Sequence, residues 1–249
     1  METIIPKTST VFSALLRADL TTQWRNRRGA ILSLMVPVII LISWKGYIAK
    51  IGGPATLANS LCYGLISLGL MGYSNSIARD RDKGIFQRLR VAPLPSWAIM
   101  MSRLAVQLIM ILIITTAIFI VGFNVDKITL SPAGYLVTYF TAAVGGAVYL
   151  ALGQAIVGLT KNAETVNSAS RLVFLAFILI GTFGGLGALG PQIQEITHWT
   201  PYGTVETIMA AGMAPAKWDM DATNALLVTL GYIIVFATVG IKQFKWESK

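Results

Sequence analysis

One charged stretch decides the fold of this 249-residue chain: Arg79-Asp80-Arg81-Asp82-Lys83-Gly84-Ile85-Phe86-Gln87-Arg88-Leu89-Arg90, which lies between two long runs without charge. It contains five cationic side chains. A cation at the centre of a membrane helix costs roughly 2.5–3.5 kcal/mol, so this stretch must lie in water while its neighbours cross the membrane. The chain is therefore predicted to span a bilayer and to present a short basic segment at one face.

The composition supports an integral membrane protein. Apolar residues make up 55% of the chain and charged residues 12%, against about 25% charged residues in soluble domains. The single cysteine, Cys62, lies in an apolar run, which excludes an internal disulfide and disfavours a thiolate metal site. We expect one integral membrane domain over residues 1–249.

Six uncharged runs predict an all-α protein with six transmembrane helices. A membrane helix needs about 20 residues, and five of the runs are long enough. The first reaches that length only if its helix continues to Ala49 while Lys45 extends to the interface, and Pro37 is expected to kink it. The runs cover residues 29–44, 51–78, 104–125, 128–160, 172–194 and 222–241.

The distribution of cations predicts the orientation. Only Lys45, Lys50, Lys127 and Lys217 of the 20 Lys and Arg residues fall on the side opposite the two termini. By the positive-inside rule both termini are cytoplasmic, in the inner or plasma membrane of the cell. The net charge of +9 is spread over four separate segments, which argues against nucleic acid as a partner.

A helix along the membrane surface is predicted before the first span, over residues 8–28. Its apolar side chains recur every three or four residues, whereas Arg17 and Asp19 lie on other faces. The pattern leaves a simple anchor and a gating role equally open. The apolar side chains are Phe12, Leu15, Leu16, Leu20 and Trp24.

The segment 189–221 is predicted to lie on the external side. It is too apolar for a free loop, so we expect short helices that dip partly into the outer leaflet or cap the bundle. Trp199 and Tyr202 suit the aromatic belt at the interface.

The charged stretch has the pattern of a short amphipathic helix after a turn at Gly84. Its apolar stripe could insert into a groove of a partner protein. Alternatively, the stretch could only fix the topology and pair with lipid phosphates, and composition does not decide between these. The stripe consists of Ile85, Phe86 and Leu89, flanked by Arg81, Lys83, Arg88 and Arg90 and followed by Pro93 and Pro95.

Catalytic and cofactor sites are poorly supported. His198 with Glu195 offers two metal ligands where three or four are needed. The glycines of 185–190 match a dinucleotide fingerprint without its strand–turn–helix context. Gly181 and Gly185 form a Gly-x-x-x-Gly pair, which more plausibly allows two helices to approach closely. No phosphate-binding loop occurs in the sequence, so no nucleotide site is expected in this chain.

The polar residues of the predicted spans limit the kind of molecule that could pass between them. The uncharged runs contain no Asp or Glu, which argues against a proton- or sodium-coupled carrier. Gln107 and Gln154 are interpreted as helix-packing or pathway residues. Such an interior suits an amphiphilic or lipid-like compound.

Residues 80–94 resemble the cytoplasmic loop of type-two ATP-binding-cassette exporter permeases, in which an acidic-Arg-acidic-x-Gly-Thr stretch leads into Leu-Arg and Pro. This chain has Asp80 and Asp82 for the usual Glu residues, Ile85 for Thr and Gln87 for Glu. The order of the predicted helices, with residues 198–202 before the last span, extends the resemblance over nearly the whole chain.

The resemblance implies the membrane subunit of an ATP-driven exporter of a drug, antibiotic or lipid-linked compound. Residues 82–94 would be the coupling helix that docks on a separate ATPase subunit, which holds ATP and Mg, and residues 8–28 the elbow helix. A second permease subunit, identical or not, and membrane lipid would be further partners. A membrane-embedded lipid-modifying enzyme and a structural or sensor subunit are the alternatives. The implied docking residues are Asp82, Lys83, Gly84, Ile85, Phe86, Arg88, Leu89 and Arg90.

Overall fold

The computed structural model describes residues 8–25, 27–91, 96–184 and 190–244, and these ranges are helical apart from short connections. No strand occurs within them. In chain order the helices are α1 Thr8–Arg25, α2 Arg27–Ser43, α3 Ile48–Ile51, α4 Gly53–Ile66, a π-helical segment Ser67–Tyr73, α5 Ser74–Asp82, α6 Ile85–Val91, α7 Ser96–Asp126, α8 Pro132–Leu159, α9 Ala163–Leu179 with a π-helical end Ile180–Gly184, α10 Pro191–Trp199, α11 Pro201–Met213 and α12 Met220–Gln243.

Five helices in the described ranges are long and apolar enough to cross a membrane: Gly53–Asp82, Ala98–Asp126, Pro132–Leu159, Ala163–Gly184 and Met220–Gln243. An all-helical, multi-pass membrane protein is thereby confirmed.

The first predicted span is shorter than expected. Helix α2 ends at Ser43, and a 3₁₀ turn, Lys45–Tyr47, separates it from α3. The prediction of one continuous helix to Ala49 is wrong because Trp44 leaves the helical backbone region, with φ −89° and ψ 4°. Pro37 lies inside α2 and is buried.

The continuous helix Gly53–Asp82 is the centre of the bundle. Within its most apolar stretch 83% of the residues are buried, against 17% for Met220–Gln243. A Cβ atom at Gly69 would lie 2.6 Å from the carbonyl group of Tyr149, and one at Gly153 would lie 2.6 Å from the carbonyl oxygen of Gly69. The π-helical segment and α8 therefore touch backbone to backbone, a contact that only small residues permit.

Helices α10 and α11 form a re-entrant hairpin. The Tyr149 hydroxyl donates a hydrogen bond of 3.2 Å to the carbonyl oxygen of Pro201, at the start of α11. A Cβ atom at Gly134 would lie 2.6 Å from the carbonyl oxygen of Met213, at the end of α11. Helix α11 therefore rises from near the middle of α8 to the end that begins at Pro132. The predicted short helices are present, and they extend to about half the depth of the bundle.

Candidate coupling site

The charged stretch continues the central helix before it turns. Helix α5 runs through Asp80 and Arg81 to Asp82. Gly84 then adopts φ +66°, which favours glycine, and α6 begins at Ile85. The predicted turn and short helix are therefore confirmed.

The last residues of α5 are fixed to α8 and α9. Arg81 is 1% exposed, and its Nη1 donates a hydrogen bond of 2.8 Å to the carbonyl oxygen of Val157, in the last turn of α8. A cation in this position satisfies a helix-end carbonyl and complements the helix dipole. The Asp82 carboxylate accepts a hydrogen bond of 2.9 Å from the amide of Ala163, at the start of α9.

An ionic cluster joins α1, α5 and α7. Arg103 of α7 lies 3.1 Å from an Asp19 carboxylate oxygen through Nε and 2.5 Å from an Asp80 oxygen through Nη1. The Ser102 hydroxyl donates a hydrogen bond of 2.6 Å to Asp19. Burial raises the pKa of Asp19, while Arg103 and Ser102 oppose the shift. The Asp19 side chain thus faces the bundle, where Arg103 supplies a positive charge and Ser102 donates a hydrogen bond to its carboxylate.

The apolar stripe of α6 faces this chain's own bundle. Phe86 is fully buried, with its ring 5.9 Å from that of Phe244 in an edge-to-face arrangement. The guanidinium carbon of Arg103 lies 5.8 Å from the centre of the same ring. The expectation that Phe86 inserts into a partner's groove is therefore wrong, since periodicity predicts an apolar face but not which surface covers it.

The other predicted docking residues lie around this anchor. Asp82, Lys83 and Arg88 are exposed, and so is Gln87. Gly84, Ile85 and Leu89 are half-buried, and the side chain of Arg90 lies outside the described residues. The free surface of α6 is accordingly polar and basic.

The residues predicted for packing or a pathway lie deeper in the bundle. Gln154 is buried and accepts a hydrogen bond of 2.9 Å from the Tyr73 hydroxyl. Gln107 is also buried, and its Oε1 has no partner among the described residues. A Cβ atom at Gly181 would lie 2.5 Å from the Tyr202 ring, so this glycine permits close contact with α11. Gly185 lies outside the described residues.

His198 lies within hydrogen-bond distance of Asp221, with 3.0 Å between Nε2 and Oδ1. Within the described ranges no group of three or more His, Cys, Asp or Glu side chains could hold a metal ion. This part of the molecule contains one residue that sequence reasoning missed, Glu206 of α11, which is partly buried. A search for carboxylates in the segment 189–221, and not only in the spans, would have found it.

Two comparisons with known proteins agree with this geometry. The family model described as "ABC-2 type transporter" matches residues 10–214. A protein of Bacillus subtilis (strain 168) named "Putative transport permease YvfS" is 22% identical over 187 residues, which cover 72% of each chain.

Proposed function

Because the chain belongs to the ABC-2 type transporter family, and is thus the membrane subunit of an ABC transporter, we propose that it exports an amphiphilic or lipid-like compound. Hydrolysis of ATP takes place on a separate cytoplasmic ATPase subunit, which binds the nucleotide and Mg. Two permease subunits form the membrane part of the transporter. Both termini are cytoplasmic.

The coupling unit is α6 with the end of α5. Its outer surface, formed by Asp82, Lys83, Gln87 and Arg88, contacts the ATPase, and the half-buried Ile85 and Leu89 border this contact. The observation that supports this assignment is the position of Phe86. Its burial between Phe244 and Arg103 fixes α6 to the bundle, so that a force applied to the exposed side chains moves the helices behind them.

The ionic cluster of Arg103, Asp80 and Asp19 transmits a movement of α6 to the neighbouring helices. Arg103 contacts both Asp80 of α5 and Asp19 of α1, so α6 cannot shift without affecting three helices. Closure of the ATPase pair would thereby tilt the central helix and change which side of the membrane the pathway opens to. Helix α1 lies at the inner interface as an elbow helix, and Trp24, 74% exposed, suits the headgroup layer.

An amphiphilic cargo is favoured by the positions of the acidic residues. In the five spans these residues occur only near the helix ends, such as Asp82, Asp126 and Asp221. Spans without a carboxylate near their middle offer little to a hydrated ion.

The docking assignment is tested by charge reversal at an exposed position. In Arg88→Glu the repulsion introduced at the contact should reduce the ATPase subunit that copurifies with the tagged chain at least tenfold, together with the ATP hydrolysis of the reconstituted complex. Lys161→Glu is the matched control, because Lys161 is exposed in the connection between α8 and α9. Thermal unfolding should be unchanged in both variants. Full copurification and hydrolysis in Arg88→Glu would show that this surface is not the docking site.

A further inference from the structure

We propose that the re-entrant hairpin carries a binding site for the cationic head group of an amphiphile, formed by Glu206 of α11 and Asn59 of α4. The role of this site in transport rests on the proposed function, whereas binding itself does not.

Glu206 lies deep in the helical bundle. Its neighbour Val205 packs against Gly145, where a Cβ atom would lie 2.6 Å from the valine side chain. Gly145 lies near the middle of α8, a helix of 28 residues. The carboxylate therefore lies at membrane depth although it is in no spanning helix, and an ionisable group at such a depth generally marks a functional site.

Glu206 and Asn59 lie at the same level on two facing helices, α11 and α4. The rings of Tyr63 and Tyr202 are 5.5 Å apart, which fixes the contact between α4 and α11. Asn59 precedes Tyr63 by four residues and Glu206 follows Tyr202 by four, so each pair shares one face of its helix.

Helices α4 and α11 run in opposite directions. Helix α4 starts beside Ile128, near the end of the bundle where α11 finishes. Because the helices run in opposite directions, Asn59 and Glu206 both lie one turn, about 6 Å, beyond the tyrosine contact toward that end.

The Glu206 carboxylate and the Asn59 side-chain oxygen both lack a hydrogen-bond donor among the described residues. Among the described residues none donates a hydrogen bond or forms an ion pair with Glu206. Asn59 is 6% exposed, and its Oδ1 is without a hydrogen-bond partner in the described part of the chain. The His198 side chain of α10 is engaged by Asp221, with 3.0 Å between Nε2 and Oδ1. A buried acceptor without a donor costs about 1–3 kcal/mol, so a ligand that donates hydrogen bonds would be stabilised here.

These features select the ligand chemistry. A carboxylate and an amide oxygen accept hydrogen bonds from an ammonium or guanidinium group. Two protein oxygens are too few for a site that holds Ca²⁺ through six to eight. Once Glu206 is ionised, its charge disfavours an anionic head group.

The test compares two amphiphiles with the same alkyl chain and head groups of opposite charge, octylammonium, whose head group donates hydrogen bonds, and octanesulfonate. The purified chain is placed in phosphatidylcholine nanodiscs, and binding to empty nanodiscs is subtracted. Glu206→Gln should lower the affinity for octylammonium at least tenfold, or about 1.4 kcal/mol, and should not weaken the binding of octanesulfonate. Glu195→Gln, which changes an exposed carboxylate of α10, should leave both affinities unchanged.

A second variant keeps the test decisive if Glu206→Gln does not fold. Asn59→Leu replaces the amide oxygen by an apolar group of similar size and should lower the affinity for octylammonium. The proposal is overturned if every variant that folds binds this cation as the wild type does, or changes the affinity for both ions equally. Since no ATPase is present, these results are independent of the copurification of Arg88→Glu.

Discussion

Arg103 lies 3.1 Å from Asp19, and this contact connects α7 to a helix that precedes every span. The same guanidinium contacts Asp80 at the end of the central helix. The Arg103 cation thus lies between two carboxylates that are far apart in the sequence, Asp19 of α1 and Asp80 of α5. All three side chains are only 13–16% exposed, so water screens their charges poorly.

Removal of the Arg103 charge should destabilise the fold. In Arg103→Gln two neighbouring carboxylates lose their shared cation, and we expect the free energy of unfolding to fall by about 3 kcal/mol, the lower end for a broken buried pair. Arg103→Lys retains the positive charge but loses the planar guanidinium group. Its stability should therefore lie between those of Arg103→Gln and the wild type. Thermal unfolding in detergent measures all three, and identical midpoints for the Gln variant and the wild type would contradict the role of the cluster.

The pH dependence of stability tests the environment of Asp19. Its pKa is raised above 3.8 by burial, so the folded state favours the protonated form, and this contribution is lost as the pH rises through the raised pKa. Asp19→Asn remains neutral. Its stability relative to the wild type should therefore increase between pH 3 and pH 7, as followed by thermal unfolding. A relative stability that falls over this range would mean that the attraction of Arg103 outweighs burial.

Phe86 should behave as a core residue. Phe86→Ala removes a fully buried ring and should cost about 3–5 kcal/mol. Phe140, which is 61% exposed on α8, provides the control, and Phe140→Ala should change stability by less than about 1 kcal/mol. Chemical unfolding of both variants distinguishes an anchor from a side chain kept free for a partner, since in the latter case Phe86→Ala would unfold like the wild type.

The backbone contact between the central helix and α8 predicts that a single methyl group is not tolerated there. Gly69→Ala and Gly153→Ala place a Cβ atom 2.6 Å from backbone atoms, and we expect each to cost about 2 kcal/mol or more. Gly231→Ala in α12 meets no atom within 4 Å and should be neutral or slightly stabilising because alanine favours helix. Yield of monodisperse protein and melting temperature report the difference; equal values for all three would exclude the close packing.

Hydropathy and charge predicted the long helices and the turn at Gly84, because both depend on local properties. The sequence could not show that α5 continues through Arg81 and Asp82, since that depends on partners in α8 and α9. Phe86 illustrates the same limit: its spacing predicts an apolar face, but only the fold shows that Phe244 covers it. Glu206 was overlooked because the depth of α11 is set by contacts with α8.

The contact between Phe86 and Phe244 has a practical consequence for work on this protein. Phe244 caps α12 and packs directly on α6, so a fluorescent reporter attached at this end of α12 would crowd the coupling unit. Lys217, which is exposed in the connection between α11 and α12, is a better position for a label.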